Sequence, residues 1–263
     1  MIARVPVLTF HDISSSDGVI SLAPALFERM LATLTSAGWR CLGLEDLAAL
    51  LTSGRELPGR TFCITFDDGF QSVYENALPV LQRLGLTATV FVLVGDPEEA
   101  RTSVPPPVWK GHALMSWSQL RDLHGHGISL GAHTLSHPDL TLLTPQQVVR
   151  EALGSRRVLA GRLDVPETAI VAFAYPYGRS NAAVRALLRP HFACACSDYL
   201  GFVTARSDVA ALPRLDSYYL RHPAMVDLMP GRWLLPYIMA VSLPRLARRA
   251  LVSALHPRPP ARR

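Results

Sequence analysis

The chain is 263 residues long, 49% hydrophobic and 18% charged, which supplies a sizeable apolar core and excludes a mainly disordered polymer. No uninterrupted apolar run reaches about 18 residues, so no ordinary membrane-spanning helix is expected. The net charge of +5 is uneven: from Arg221 onward there are eight arginines and one aspartate. The basicity therefore belongs to the C-terminal end, and without basic–aromatic interleaving elsewhere nucleic-acid binding is not expected.

The first residues, Met1 to Pro6, lack the long apolar stretch and cleavage site of a secretory signal, so a cytoplasmic location is expected. Strand-type apolar runs then alternate with helical patterns. Val5–Phe10 reads as a strand and Pro24–Ala37 as a helix, with Leu26, Met30, Leu31 and Leu34 on one face. Thr61–Phe66 is the next strand, Phe70–Leu84 a helix and Thr87–Val94 a strand. Asp96–Gly111, with Pro97 and Pro105-Pro106-Pro107, reads as a loop beside the site. Strands follow at Ile128–Ala132, Ala169–Ala174 and Phe192–Cys196, with a helix over Pro145–Leu163. Thr144 before Pro145 suits an N-cap followed by proline at the first helical position. Cys41, Cys63, Cys194 and Cys196 have no metal-site spacing and read as buried small hydrophobes. This alternation argues for an α/β fold with parallel strands, as an open sheet or a barrel. Residues 1–222 form the expected catalytic domain and 223–263 a basic helical tail. In that tail Trp233–Val241 is apolar and Arg245, Arg248 and Arg249 follow. It is either an amphipathic helix on the inner membrane surface or a helix packed on the barrel with a frayed basic end.

Four of the strands end in groups that can do chemistry. Val5–Phe10 ends in His11-Asp12, Thr61–Phe66 in Asp67-Asp68-Gly69, Ile128–Ala132 in His133 with His137 four residues on, and Ala169–Ala174 in Tyr175-Pro176-Tyr177-Gly178. Parallel α/β folds gather strand carboxyl ends on one face, where active sites sit. Adjacent aspartates at a strand terminus diverge, so one can hold a cation while the other stays free as a base. The alternative is a turn or N-cap pair. His133 and His137 have the spacing of two imidazoles on one helical turn, and Pro138 limits the helix to such a turn. One carboxylate and two imidazoles are the ligand set of open catalytic zinc sites. The turn at Tyr177 can aim a backbone N–H at an oxyanion. His11 is a general acid or a buried histidine bonded to Asp12. Trp109, Trp117, Tyr175 and Tyr177 are candidates for stacking on the rings of a ligand.

Thr65-Phe66-Asp67-Asp68-Gly69-Phe70, His133-Thr-Leu-Ser-His137 and Phe173-Ala174-Tyr175-Pro176-Tyr177-Gly178 resemble, in order, the first three motifs of the polysaccharide deacetylases, the NodB-homology enzymes of carbohydrate esterase family 4. The resemblance implies a distorted (β/α)7-type barrel and metal-dependent removal of N-acetyl groups from sugars. It further implies Asp67 as base, Asp68, His133 and His137 as metal ligands, and the Tyr177 N–H as an oxyanion donor. The usual third-motif arginine is replaced by Ala174, and Arg214 is the candidate substitute. The late histidine motif is not obvious. Leu220-Arg221-His222 is one candidate for the acid. Leu8-Thr9-Phe10-His11-Asp12 is the preferred one, similar to the circularly permuted exopolysaccharide poly-N-acetylglucosamine deacetylases.

The expectation is therefore a hydrolase holding a divalent metal (zinc, with cobalt or nickel as alternatives) and acting on an N-acetylated sugar or polysaccharide. A glycan-binding module without catalysis, and an O-acetyl esterase or non-sugar amidase on the same fold, are the rival readings.

Overall fold

A computed structural model of the chain describes residues 3–95 and 108–243. Its strands are β1 (Val7–Phe10), β2 (Arg40–Cys41), β3 (Thr61–Phe66), β4 (Thr89–Val92), β5 (Val108–Trp109), β6 (His112–Ala113), β7 (Ser129–Ala132), β8 (Ala172–Ala174), β9 (Cys194–Leu200) and β10 (Leu212–Asp216). The helices are α1 (Pro24–Ser36), α2 (Leu44–Thr52), α3 (Leu78–Leu84), α4 (Trp117–Gly125), α5 (Pro145–Leu163), α6 (Ala182–Leu188) and α7 (Pro223–Leu228). Seven strands run parallel in the order β1-β10-β9-β8-β7-β4-β3, and β3 pairs back onto β1, closing a (β/α)7 barrel. β2 extends the sheet beside the first residues of β3, and β5 and β6 form a small antiparallel hairpin.

The strand period of two explains how the barrel is filled. Leu8, Phe10, Ile64, Phe66, Val90, Val92, Ala132, Phe173 and Leu215 point outward into the main core beneath the helices. Val7, Cys63, Phe91, Ala172, Ala174, Cys196 and Leu212 fill the second cluster inside the barrel. The inner set is mostly small, and the ring of Phe91 takes up the space. A Cβ on Gly131 would lie 2.6 Å from that ring, so β7 needs glycine there. Three cysteines are buried and Cys41 half-buried, all as free thiols.

β3 and α5 match the expected bounds, and Thr144 and Gln147 cap α5 reciprocally. The expected helix from Phe70 to Leu84 is interrupted. Phe70 bridges to Leu114, and a π-helical turn at Val73–Ala77 precedes α3. Pro79 lacks the N–H that would bond the Glu75 carbonyl, so the chain adjusts there. His133 to His137 is not a helical turn: Thr134 and His137 are left-handed, at φ 69° and 59°. β10 was not expected as a strand, because Pro213 and Arg214 interrupt its apolar pattern. α7 and the helical residues 234–243 bury Val226, Met229, Leu234 and Ile238 in the main core. Arg245, Arg248 and Arg249, Pro97 and the Pro105–Pro107 triplet lie outside the described residues. Among the described residues no helix is long and apolar enough to cross a membrane.

Candidate active site

The alternation that sorts the core also aims the polar residues. With Phe10 and Phe66 outward and in register, the next positions, His11 and Asp67, turn inward side by side at the barrel mouth. The ladder continues past the strands, the Asp67 N–H donating to the Phe10 carbonyl at 2.9 Å. On β7 the outward Ala132 puts His133 inside, and on β10 Arg214 faces in. These side chains line a cavity of about 220 Å³ together with Asp68, His137 and Tyr177.

Asp68 and Gly69, both left-handed at φ 67° and 77°, turn the chain sharply after β3, which separates the two aspartates. Asp67 receives a bidentate bond from Arg214, at 2.7 Å from Nη1 and 2.8 Å from Nη2, while Arg214 Nε donates to the Ser197 carbonyl at 3.1 Å. Burial alone would raise the Asp67 carboxyl, but the charge and hydrogen bonds of Arg214, helped by His11 and His133, hold it well below the usual range. The position where the third motif has Ala174 is thus served from a different strand. β1 lies between β3 and β10, so chain segments at opposite ends of the sequence flank Asp67. His11 Nε2 lies 3.7 Å from Asp67 Oδ2.

Asp68 is not bonded to Arg214. Its Oδ1 is buried without a hydrogen-bond partner and faces His133 Nε2 and His137 Nε2, each at 3.5 Å. Their ligand atoms all lie within 4.8 Å of one another. Donors about 2.1 Å from a tetrahedral ion stand about 3.4 Å apart, so the spacing fits one cation. His133 Nδ1 donates to the Ala174 carbonyl at 2.8 Å, which fixes the tautomer and leaves Nε2 for the cation. Burial, with His133 and Lys110 adding to it, lowers His137 to about 4, so its ring is neutral at pH 7. Burial would likewise lower His133, but the neighbouring Asp68 and Asp67 carboxylates pull it up. Two carboxylates near that ring, one of them with an orphaned oxygen, mark a place built for positive charge.

Sequence reasoning missed two supports, Glu151 and Lys110, while Trp109 was among its candidates. Glu151 on α5 accepts from the N–H groups of Leu135 and Ser136, both at 3.0 Å, and so holds the loop between the two histidines. Nothing in its local sequence signals this. Lys110, the only lysine of the chain, sits in the β5–β6 turn and lines the cavity, 5.6 Å from the Tyr177 ring centroid. Trp109 lies beside the site, its ring 5.2 Å from that of His137.

Other expectations need correction. Tyr175 is fully buried with its hydroxyl donating to the Ala210 carbonyl, and Trp117 is core, so neither stacks on a ligand. Asp12 is not the partner of His11. It accepts from Ser72 at 2.6 Å and from Ser14, and it faces His112 at 3.3 Å. His222 is the N-cap of α7, its Nδ1 accepting from the Ala224 N–H, and it is not among the cavity's lining residues. Tyr177 sits in the turn after β8 at φ 56° and is half exposed. A Cβ on the following Gly178 would lie 2.2 Å from the Asp198 backbone nitrogen, so only glycine fits. Among the described residues, four of the seven non-glycine positions with positive φ (Asp68, Lys110, His137 and Tyr177) line this cavity, and a fifth, Thr134, lies in the loop between its two histidines. Such concentrated strain is characteristic of functional sites.

Comparison with known proteins points to one family. The sequence model of the family "Polysaccharide deacetylase" matches residues 54–191, a span that holds Asp67, Asp68, both histidines and Tyr177 but neither His11 nor Arg214. Bacillus subtilis YxkH, assigned to the polysaccharide deacetylases, is 30% identical over 179 residues, covering 68% of this chain and 58% of the relative. The poly-beta-1,6-N-acetyl-D-glucosamine N-deacetylase of Staphylococcus aureus is 24% identical over 170 residues, covering 61% and 55%. The chain thus spans a little over half the length of these curated relatives. Among solved structures, IcaB from Ammonifex degensii superimposes with a TM-score of 0.72 at 23% identity, over 86% of this chain and 97% of that one. The Streptococcus pyogenes deacetylase PplD, solved with acetate, gives 0.71 at 23% identity, over 82% and 93%.

Proposed function

The chain belongs to the polysaccharide deacetylase family, and on that premise we propose that it hydrolyses the N-acetyl group of an amino sugar within a glycan, using a divalent cation held by Asp68, His133 and His137. The observation that carries the reading is the division of labour between adjacent aspartates. Asp68 presents an orphaned oxygen to two imidazoles, while Asp67 is kept off that cluster and ionised by Arg214. A binding module needs no second carboxylate locked in this way. The departure at Ala174 leaves no gap either, since Arg214 occupies its role from β10.

Two imidazoles and one carboxylate suit zinc, with cobalt or nickel able to replace it. When bound, the cation supplies Lewis acidity, acidifying water and drawing electron density from the acetyl carbonyl. Asp67 accepts the proton of the attacking water. Arg214 fixes the orientation of that carboxylate and keeps it unprotonated. The Tyr177 backbone N–H, presented by its left-handed turn, donates to the oxyanion. His11, across the Asp67 carboxylate, delivers a proton to the departing nitrogen. An amide needs that proton, because a free amide anion is far too basic to leave.

The test is metal analysis coupled to acetate release from N-acetylglucosamine oligomers. Asp68→Ala and His133→Ala are expected to lose bound metal and activity together, and Asp67→Asn to keep the metal while losing turnover. Full acetate release by metal-free Asp68→Ala protein would overturn the proposal.

A further inference from the structure

We infer that residues 228–243 form a docking surface for an anionic lipid bilayer, so that the enzyme works at a membrane surface. Four of the nine large hydrophobic side chains exposed among the described residues fall in this short span: Leu228 at 37%, Trp233 at 56%, Met239 at 60% and Leu243 at 65%. The helical residues 234–243 bury Leu234 and Ile238 on one side. Pro236, Met239, Ala240 and Leu243 lie on the other, open to solvent. No charged residue occurs from Trp233 to Leu243, although the outer face of an ordinary surface helix is polar.

In the sequence, the charge of this C-terminal part has one sign. Arg232 places its guanidinium 5.2 Å from the Trp233 ring centroid, and Arg221 lies 4.2 Å from that of Tyr218, which is also exposed. From Arg221 onward the sequence has eight arginines against one aspartate, and that aspartate, Asp227, is paired with Arg29 at 2.8 Å. An apolar helix face that begins at an arginine–tryptophan pair, in an arginine-rich stretch of sequence, matches the interface of an anionic membrane. A second copy of the chain would bring the same positive charge against itself. A nucleic acid would meet the arginines but leave the apolar face uncovered. The segment is also tied to the barrel rim, since the Tyr237 hydroxyl donates to the Tyr219 carbonyl at 2.6 Å in the turn that follows β10.

The experiment is co-sedimentation of the full chain with phosphatidylcholine vesicles, with and without phosphatidylglycerol. Wild-type protein is expected to sediment with the anionic vesicles and not with the neutral ones, and to be released by high salt. Met239→Ser with Leu243→Ser is expected to weaken partitioning about tenfold or more, and Arg221→Gln or Arg232→Gln about fivefold each. All these side chains are exposed, so unchanged melting and unchanged turnover of soluble oligomers serve as the folding control. The inference is overturned if wild-type protein stays in the supernatant with anionic vesicles, or if the apolar-face variant sediments like wild type. A dimer in solution that the same serine substitutions dissociate would also overturn it, in favour of a second copy as the occupant.

Discussion

His11 and Arg214 both face the Asp67 carboxylate, and their substitution is expected to separate two kinds of loss. His11→Ala leaves the Asp67–Arg214 pair and the side chains of Asp68, His133 and His137 in place, so the main loss expected is proton delivery to the leaving group, with a smaller rise of the Asp67 carboxyl. Loss of a general acid costs about 10²- to 10⁴-fold in rate, and that loss is expected for an amide. The phenolate of an aryl acetate leaves without protonation, so hydrolysis of that ester by the same variant is expected to stay near wild type. Equal loss on both substrates would remove His11 from the acid role. Arg214→Lys keeps a charge but not the planar fork that bonds both Asp67 oxygens. Asp67 is buried, and leaving it poorly paired is expected to cost about 3–5 kcal/mol of stability, read by denaturant titration. The sign of the pH effect follows as well. Arg214 depresses the Asp67 carboxyl, so weakening the pair raises it, and the acidic limb of the rate profile is expected to move to higher pH. An unmoved limb would mean that another group sets it.

At the scale of elements, the strands place the site by parity. A strand ending on an outward phenylalanine or alanine sends its next residue inward, and in the sequence His11, Asp67 and His133 were readable as ionisable groups that end apolar strands. The partner of Asp67 was less so. Arg214 lies on a strand that Pro213 and the arginine itself disguise, and its nearness to Asp67 depends on β10 pairing with β1 and β1 with β3. Such long-range pairing leaves no local periodicity. The histidine loop was misread as helical because i, i+4 spacing suits a helix, whereas its actual shape comes from Glu151 on another element and the left-handed Thr134 and His137. The barrel's filling makes a further prediction. Gly131 faces the Phe91 ring with no room for a methyl group, so Gly131→Ala is expected to cost about 1–3 kcal/mol as overpacking. Urea unfolding measures it. Because Phe91 also lies beneath Arg214, 5.9 Å from the guanidinium carbon, activity is expected to fall too. A variant as stable as wild type would mean that the ring moves freely and does not fix the lumen.

For the whole molecule, three thiols are buried in and around the lumen and Cys41 is half-buried, and this sets an alkaline limit on stability. Burial pushes Cys41 up to about 11 and Cys196 up to about 12, and it raises Cys63 and Cys194 well above their usual value of 9.0. A thiol is charged only after losing its proton, so the folded chain keeps protons that the unfolded chain releases near pH 9. The resulting stability is fully present below the unfolded value and is lost as pH rises through the folded ones. The melting temperature is therefore expected to hold up to about pH 9 and to fall steadily through pH 11. Cys194→Ala and Cys196→Ala, which remove the titrating groups at little change in volume, are expected to flatten that fall. The same burial starves the thiols of thiolate, so iodoacetamide at pH 8 is expected to leave all four cysteines unmodified in the native protein and to modify all four in urea. Rapid native labelling would show that the lumen opens on the timescale of the reaction, and the alkaline limit would then have to come from another group.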